Sequence, residues 1–403
     1  MGSLPLDGIR VCDFTWLVAG PTVTQMLAVM GAEVIKIESN VHTDLNRRMG
    51  PYLNGQAGDE MTGNFPRVNL SKKSCTLDLT RPEAAEIAKE LVAVSDIVVS
   101  NFRNGVMEGY GLSYDVLREL KPDLVLVHSS GMGSTGPNRD YVCYNEEGYA
   151  FGGLGYQTGF RGKAPNMIVG DFADYLTGTL ETFAILSAVH YHARTGKGQT
   201  VEVPMAEAVA SHVPEAVLDY SMNRRSRERI GNHAEGMAPH NCFPCQGEDR
   251  WVAIAVTNDR EWQAFCDAIG RPEWLVDERF IDVPRREQNQ AELEKLVAEW
   301  TRTRTPHEVT EILQAAGVPA GPSLSIEGLV NDPHLKARGF FVAPEHPVTG
   351  NRLLEGLPWK SSATQPAFRH APLLGQDNYY VFHDLLGMAD EEFARLVDER
   401  IIH

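Results

Sequence analysis

The sequence predicts an α/β protein with a large domain, built on a doubly wound, mostly parallel, Rossmann-like sheet, and a smaller α+β domain. Apolar runs of strand length alternate with amphipathic helical segments between residues 9 and 222. This alternation is typical of parallel strands joined by crossover helices. The chain has 403 residues, more than a single hydrophobic core normally serves, so we expect more than one domain.

The predicted elements of the large domain follow from apolar spacing and from residues that begin or end helices. Apolar residues at every third or fourth position indicate helices, and short runs rich in Val and Ile indicate strands. Gly31, Pro82 and Pro122 mark helix ends and starts. In chain order we predict a strand at 9–14, a helix at 21–31, a strand at 32–38, a strand at 74–79, a helix at 82–94, a strand at 96–102, a helix at 113–122, a strand at 123–131, a helix from 172 to 194, a strand at 200–205 and a helix at 206–222.

The composition changes after residue 222. A basic, loop-like segment at 223–233 indicates a linker. Beyond it, an apolar strand at 251–256 and helices ending at Gly317 indicate a smaller unit. We therefore predict a large domain at 1–222, a linker with a small α+β domain at 223–325, and a C-terminal segment at 326–403.

Charge and cysteine content exclude several classes of function. The chain has 54 acidic and 37 basic residues, a net charge of −17, which disfavours nucleic-acid binding. No apolar run approaches the ~20 residues that span a membrane. The six cysteines are widely spread, which favours a reducing cytoplasm over a disulfide framework. The C-x-x-C at 242–245 lacks a second ligand pair, so we predict no metal site.

A glycine-rich stretch, GMGSTG at 131–136, matches the dinucleotide-binding pattern and follows a predicted strand. Pro137 and Asn138 come next, and no helix begins there to receive a pyrophosphate. A nicotinamide-dependent dehydrogenase therefore remains only an alternative at the level of the fold.

Two other features of the large domain suggest a ligand. The small and apolar turn at 15–21 follows the first strand, where α/β sheets bind ligands, although simple strand–helix packing explains it equally well. Basic residues also cluster in an acidic chain, which suggests a phosphorylated ligand, although each one alone is compatible with a solvated loop. The cluster consists of Arg47, Arg48, Arg67, Lys72, Lys73 and Arg103.

Two aspartates begin the long helix in GDFADYLTG, residues 170–178. Asp171 occupies the N-cap position and Asp174 the N3 position, where carboxylates stabilise a helix by roughly 0.3–1 kcal/mol. The same helix field favours an ionised carboxylate, which a carboxylate nucleophile requires. Local pattern alone does not choose between a cap and a nucleophile.

Four ordered segments resemble the class III CoA-transferases, the family of formyl-CoA transferase, carnitine CoA-transferase and α-methylacyl-CoA racemase. The resemblance covers almost the whole chain, and the four segments keep the family's order and spacing. The segments are LDGIRVCDFTWLVAGPTVTQMLAVMGAEVIKIE at 6–38, NLSKKSCTLDL at 69–79, SNFRNGVMEGYGLSYDVLRELKPDLVLVHSSGMGSTGP at 100–137 and ARTGKGQTVEVPMAEAV at 193–209.

The resemblance implies the catalytic residue and the reaction. The family's aspartate lies in D-x-x-x-G, which Asp174 and Gly178 match and Asp171 does not. Asp174 would carry acyl anhydride and aspartyl-CoA thioester intermediates while CoA passes from an acyl-CoA, such as succinyl-CoA, to a free carboxylic acid. Intramolecular CoA transfer and racemisation are alternatives. Racemisation needs a second acid or base, and the family's histidine is missing from residues 140–153.

The resemblance also implies which residues bind CoA, and the basic cluster adds further candidates. Val18 and Ala19 would line the adenine pocket, Lys72 the phosphates, and Asn101 with Phe102 the CoA arm. Arg47 or Arg48 would replace an arginine that the family has where Ser39 stands here. Lys73 and Arg103 complete the predicted CoA contacts. The predicted acyl pocket comprises Trp16, Tyr144, Asn145, Gly131 and Gly133, whose glycine-loop N–H groups would stabilise oxyanions.

The family's architecture implies an interlocked dimer whose C-terminal segment rejoins the large domain. We expect a homodimer or a heteromer with a related subunit, no tightly bound cofactor, and a CoA thioester and a carboxylic acid as the substrates. Tyrosines and Phe151 in the loop at 141–156 hint at a larger or aromatic acid, with a weak resemblance to benzylsuccinate-type transferase subunits.

Overall fold

The computed structural model describes residues 4–403. The chain forms two compact units. The large unit contains the chain up to Tyr156, residues Asn166–Arg227 and residues Gly339–His403. The small unit contains Gln157–Pro165 and Glu228–Arg338.

A six-stranded sheet forms the centre of the large unit, with strand order β3-β2-β1-β4-β5-β6 and all neighbours parallel. The strands are β1 (Arg10–Asp13), β2 (Glu33–Glu38), β3 (Lys73–Thr76), β4 (Ile97–Ser100), β5 (Val125–His128) and β6 (Gln199–Glu202). This is the order of the doubly wound dinucleotide-binding fold, in which chain direction across the sheet reverses between β1 and β4. The predicted fold class is confirmed.

Helices cover both faces of this sheet. They are α1 (Ala19–Val29), α2 (Pro82–Ala93), α3 (Val106–Gly109), α4 (Tyr114–Leu120), α5 (Asn145–Phe151), α6 (Leu154–Gln157), α7 (Phe172–Thr195), α8 (Met205–Ala210) and α9 (Pro214–Asn223). The single helix predicted at 206–222 is wrong, because α8 ends before Pro214 and α9 begins with it. Proline lacks the N–H that would continue the helix.

The two faces of the sheet build separate hydrophobic clusters. On one face, Val11 and Val99 pack with Leu27 of α1 and Ile185 of α7. On the other face, strand residues pack with α2, α4 and the C-terminal residues Val381, Phe382, Leu396, Ile401 and Ile402. The central strands β1, β2 and β4 are therefore buried on both faces, as in a doubly wound sheet, whereas the edge strand β6 exposes Thr200 and Glu202.

The small unit is an antiparallel sheet, β7-β8-β9, with helices around it. Trp262, Phe265, Trp274 and Phe280 form the aromatic part of its core. Its elements are β7 (His240–Pro244), β8 (Trp251–Ala255), α10 (Asp259–Ile269), α11 (Val283–Gln288), α12 (Gln290–Thr301), α13 (Pro306–Ala315), β9 (Ala320–Ser323), α14 (Ile326–Asn331) and α15 (Pro333–Ala337).

The C-terminal part of the large unit has little regular structure. It contains β10 (Phe341–Val342) paired with β13 (Leu354–Glu355), β11 (Glu345–His346) paired with β12 (Gly350–Asn351), a π-helix (Tyr380–Leu385) and α16 (Asp390–Asp398). Within residues 4–403, no helix has both the length and the apolar character needed to cross a bilayer.

Candidate active site

A cavity of about 280 Å³ opens at the carboxyl ends of β1, β4 and β5 in the large unit. This is the point where the strand order reverses, and it is where open α/β sheets bind ligands. Loops after these three strands and the start of α7 line it. The lining residues are Trp16, Leu17, Ala19, Leu45, Asn101, Phe102, Arg103, Asn104, Ser129, Ser130, Gly131, Arg139, Tyr141, Val142, Cys143, Tyr144, Asp174 and Met205.

Asp174 is the aspartate that α7 presents to this cavity. The pKa of Asp174 is raised to about 7, chiefly by burial and also by the nearby Asp171, while a hydrogen bond from the backbone N–H of Ala19 opposes the rise. The sequence interpretation that the helix field keeps this carboxylate ionised is therefore too simple, because burial outweighs the field. Near neutral pH, the protonated and nucleophilic forms coexist.

Asp171 does not cap α7, contrary to the sequence interpretation. Its side chain accepts no capping hydrogen bond, and Oδ2 instead lies 2.7 Å from Nη2 of Arg67. The amide of Asn145 takes the capping role, because its Oδ1 accepts a 2.8 Å hydrogen bond from the Ala173 N–H. Asn145 was predicted in the acyl pocket, and its side chain orders the start of α7.

Gly178 allows the closest contact between α1 and α7. A Cβ atom at this position would lie 2.9 Å from the Ala19 carbonyl oxygen and 3.2 Å from the Thr22 side chain. Because residues four apart share one face of a helix, Gly178 lies directly below Asp174. The close helix contact lets the Ala19 N–H reach the Asp174 carboxylate.

The loop between β1 and α1 is held in a strained conformation beside Asp174. Leu17 has a positive φ of 62°, which is uncommon for a residue with a branched side chain. The Leu17 N–H donates to Asp44 and its carbonyl accepts from Asn46. Asn101 Oδ1 accepts from the Trp16 N–H at 2.8 Å, and its Nδ2 donates to the Trp16 carbonyl at 2.7 Å. Strain fixed in this way is typical of functional sites.

Eight of the residues predicted for the site lie around one cavity. Trp16 and Phe102 pack edge to face with centroids 5.3 Å apart and give it an apolar wall. Arg103 is exposed at the cavity, where it can meet an anionic ligand. The eight residues are Trp16, Ala19, Asn101, Phe102, Arg103, Gly131, Tyr144 and Asp174.

Two predicted phosphate ligands are instead buried ion-pair partners. Arg47 is fully buried, and its guanidinium donates to Glu38 at 2.8 and 2.9 Å and to Glu60 at 3.1 Å. Lys72 is buried with Nζ 3.1 Å from Asp13, and burial lowers its pKa to about 8. Neither cation lines the cavity, and their assignment as CoA contacts stays a prediction.

Four further predicted ligands also lie away from the cavity. Val18 is buried beneath it, and the Gly133 N–H donates to Ser130 Oγ at 2.9 Å, so it is not available to an oxyanion. Lys73 begins β3, at the amino end of the sheet, with Nζ 3.3 Å from Glu33. Arg48 is half-exposed beside Asp59, at 3.8 Å, and does not line the cavity.

Several lining residues were not predicted, above all Arg139, Ser129 and Cys143. They lie on or next to the loop that follows β5. Because this loop is long, the sequence does not show which of its residues face the cavity. Gly131 gives a structural reason for the close approach of Cys143, because a Cβ at Gly131 would lie 2.2 Å from the Cys143 Cβ. The glycine pattern at 131–136 serves this turn, and the next helix begins only at Asn145.

We expect the ion pair beside Asp174 to set the pH dependence of any reaction that uses its carboxylate. Asp171→Asn removes a repulsion and frees Arg67, so the pKa of Asp174 falls and activity persists at lower pH. Arg67→Met has the opposite effect. The acid limb of the kcat/KM profile should move by about one pH unit in each direction. Equal shifts of the same sign would contradict this electrostatic assignment.

Comparison with known proteins agrees with the fold. Residues 6–378 match the model of CoA-transferase family III. The chain is 34% identical to the succinyl-CoA–D-citramalate CoA-transferase of Chloroflexus aurantiacus, over 99% of this chain and 98% of that protein. It is 31% identical to the formyl-CoA:oxalate CoA-transferase of Rhodopseudomonas palustris, over 98% and 96%.

A solved structure has the same architecture. A CAIB/BAIF family protein from Brucella suis superposes with a TM-score of 0.86 and 30% identity, covering 95% of this chain and all of that one. The protein is an α/β protein with a parallel central sheet, and its candidate site is the carboxylate-containing cavity at the reversal point of that sheet. The chain belongs to CoA-transferase family III, which confirms the resemblance seen in the sequence. Its substrates are therefore CoA thioesters.

Proposed function

We propose that this enzyme moves CoA from succinyl-CoA, or a similar acyl-CoA, to a free carboxylic acid, with Asp174 as the nucleophile. The observation that carries the proposal is the Asp174 carboxylate in the wall of the cavity, positioned by the Ala19 N–H. The relatives named as succinyl-CoA and formyl-CoA transferases support the choice of donor.

The proposed reaction has four balanced steps. Ionised Asp174 attacks the thioester carbon, the C–S bond breaks, and CoA thiolate and an acyl-aspartyl anhydride form. The thiolate attacks the aspartyl carbonyl and releases the donor acid, which leaves an aspartyl-CoA thioester. The acceptor carboxylate displaces the thiolate to give a second anhydride. The thiolate then attacks the acceptor carbonyl and regenerates Asp174. Covalent capture divides one difficult exchange into easier steps.

The cavity supplies groups for these steps. Arg103 and Arg139 provide positive charge that suits the phosphates of CoA or a carboxylate. Trp16 and Phe102 form an apolar wall that limits water, which would hydrolyse an anhydride. The side chains of Tyr141 and Tyr144 are exposed at the same cavity and favour an acceptor with an aromatic or extended apolar part.

The protein is also proposed to act as an interlocked homodimer or together with a related subunit. Homologous proteins from Chloroflexus aurantiacus include the alpha and beta subunits of a succinyl-CoA–L-malate CoA-transferase, each 34% identical to this chain. The six cysteines are unpaired thiols, which supports a cytoplasmic location. Mass measurement of the purified protein alone and after co-expression with a homologous subunit distinguishes the two assemblies.

Trapping the covalent intermediate tests the proposed function. The protein is incubated with succinyl-CoA, treated with hydroxylamine or borohydride, digested and mapped by mass spectrometry. A modified Asp174 is expected, because both reagents attack an acyl-activated carboxyl group. A panel of aliphatic and aromatic acids then identifies the acceptor. Modification at Asp171, or transfer without any modification of Asp174, would overturn the proposal.

A further inference from the structure

The long helix α7 carries a second carboxylic acid that the proposed steps do not use. Glu181 follows Asp174 by seven residues, two helical turns, and is fully buried. Among residues 4–403, neither Oε1 nor Oε2 of Glu181 has a hydrogen-bond partner. A buried carboxyl group without partners destabilises a fold, so its presence calls for a role.

Ser129 connects Glu181 to the cavity. It follows β5, is itself buried, and is one of the residues that line the cavity containing Asp174. The Ser129 hydroxyl is close enough to Glu181 to influence its ionisation, although the two groups are not in hydrogen-bonding geometry in this structure. The Ser129 N–H already donates to the Ser100 carbonyl at 2.9 Å, so the backbone of Ser129 is fixed while its hydroxyl can turn.

We propose that Glu181 is a positioning residue whose protonated carboxyl donates to the Ser129 hydroxyl and thereby directs the Ser129 O–H into the cavity. There the hydroxyl donates to the thioester carbonyl oxygen as negative charge develops on it. This inference rests on the proposed function, because it assigns Ser129 to the tetrahedral intermediates of CoA transfer.

The direction of the Ser129 hydroxyl follows from the proton on Glu181. A protonated carboxyl gives its hydrogen to the serine oxygen, which leaves the serine hydrogen for the substrate. An ionised carboxylate is only an acceptor, so it attracts the serine hydrogen away from the cavity. The proton on Glu181 therefore decides whether the Ser129 hydroxyl can donate a hydrogen bond into the cavity.

The surroundings of Glu181 favour the protonated form. Burial raises its pKa to about 8, with the Ser129 hydroxyl opposing the rise. Helix α1 carries no charged residue. Other elements packed against α7 also carry titratable groups, and none of these is among the groups that shift the pKa of Glu181. They are Glu146, Glu147 and Tyr149 on α5, His128 on β5, Glu202 on β6 and Glu207 on α8.

Matched substitutions test the role of Glu181. Glu181→Met keeps the size and removes the donor, so kcat for CoA transfer should fall by about 10- to 100-fold with a KM for acyl-CoA within about twofold of wild type. Glu181→Gln keeps a donor, so it should restore kcat to within about threefold and abolish the alkaline limb of the pH profile. Ser129→Ala should match Glu181→Met, and the double variant should lose little more.

The outcomes separate the inference from the proposed function. A wild-type enzyme without a trapped Asp174 intermediate overturns the proposed function. Two results would overturn only the role of Glu181, provided that the wild-type enzyme gives the trapped Asp174 intermediate. One is a Glu181→Met variant with wild-type kcat. The other is a double variant in which the losses of kcat from Glu181→Met and Ser129→Ala add up. Circular dichroism shows whether the Glu181→Met variant folds. If it does not fold, the two single variants Glu181→Gln and Ser129→Ala are compared instead.

A stability measurement gives a readout that does not depend on activity. The folded pKa of Glu181, about 8, lies above its ordinary value of 4.5, so the folded state binds its proton more tightly. The stability that this proton contributes is complete below pH 4.5 and is lost as the pH rises through about 8. Wild type should therefore lose stability relative to Glu181→Gln over this range. A constant difference would overturn the protonated state.

Discussion

Replacement of Asp174 with alanine or asparagine is expected to reduce CoA transfer by at least about 10⁴-fold, as removal of a covalent nucleophile does in other enzymes. Both replacements remove the carboxylate that we propose attacks the thioester. Acyl-CoA binding should survive, because the cationic and aromatic walls of the cavity remain. Steady-state transfer assays and calorimetric titration with CoA measure the two effects separately.

Asp171→Asn is the matched control for this experiment. It changes a carboxylate three residues away on the same helix, and it breaks the 2.7 Å ion pair with Arg67. We expect transfer to persist with a displaced pH profile, and the trapped intermediate to stay on Asp174. If the Asp171 variant loses transfer as completely as the Asp174 variants do, the nucleophile is assigned to the wrong residue.

Arg47→Met is expected to destabilise the large unit by about 3–5 kcal/mol, the cost typical of removing one partner from a buried ion pair. The variant leaves Glu38 buried without its guanidinium, and Glu60 loses the same partner. The ring of Phe65, 3.5 Å from the guanidinium carbon, loses its cation contact as well. Urea unfolding followed by circular dichroism measures the change.

The neighbouring residue provides the control. Arg48 is half-exposed and lies 3.8 Å from Asp59, so Arg48→Met should change stability by less than about 1 kcal/mol. If Arg47 is a phosphate ligand, as its place in the basic cluster suggested, Arg47→Met should instead weaken CoA binding and leave stability unchanged. The two variants thus distinguish a structural cation from a binding one.

Much of the fold was predictable from the sequence because its information is local. The helix at 172–194 is observed at Phe172–Thr195, and the strand at 32–38 is observed at Glu33–Glu38. Apolar periodicity, proline and glycine fix such elements within a few neighbouring residues. The break before Pro214 was missed, although the proline marks it, because the apolar pattern continues on both sides.

The site was only partly predictable because its geometry depends on contacts between distant segments. Asp174 could be selected through Gly178, whose spacing is visible in the chain. The ion-pair partners of Arg47 and Lys72 could not be predicted, because a cluster of cations in the sequence does not show which of the 54 acidic residues will contact them. Nor does spacing reveal that Asn145 caps a helix that begins 27 residues later, at Phe172.

The contact at Gly178 has a consequence for changing the specificity of this enzyme. At Gly178, helices α1 and α7 touch with no room for even a methyl group, so they form a rigid frame that fixes both the Asp174 carboxylate and the Ala19 N–H that holds it. Substitutions that widen the site from this side would displace Asp174 itself. A library designed to accept new acids should therefore keep both helices constant and vary the loop around Tyr141 and Tyr144, where side chains are exposed and no catalytic distance depends on them.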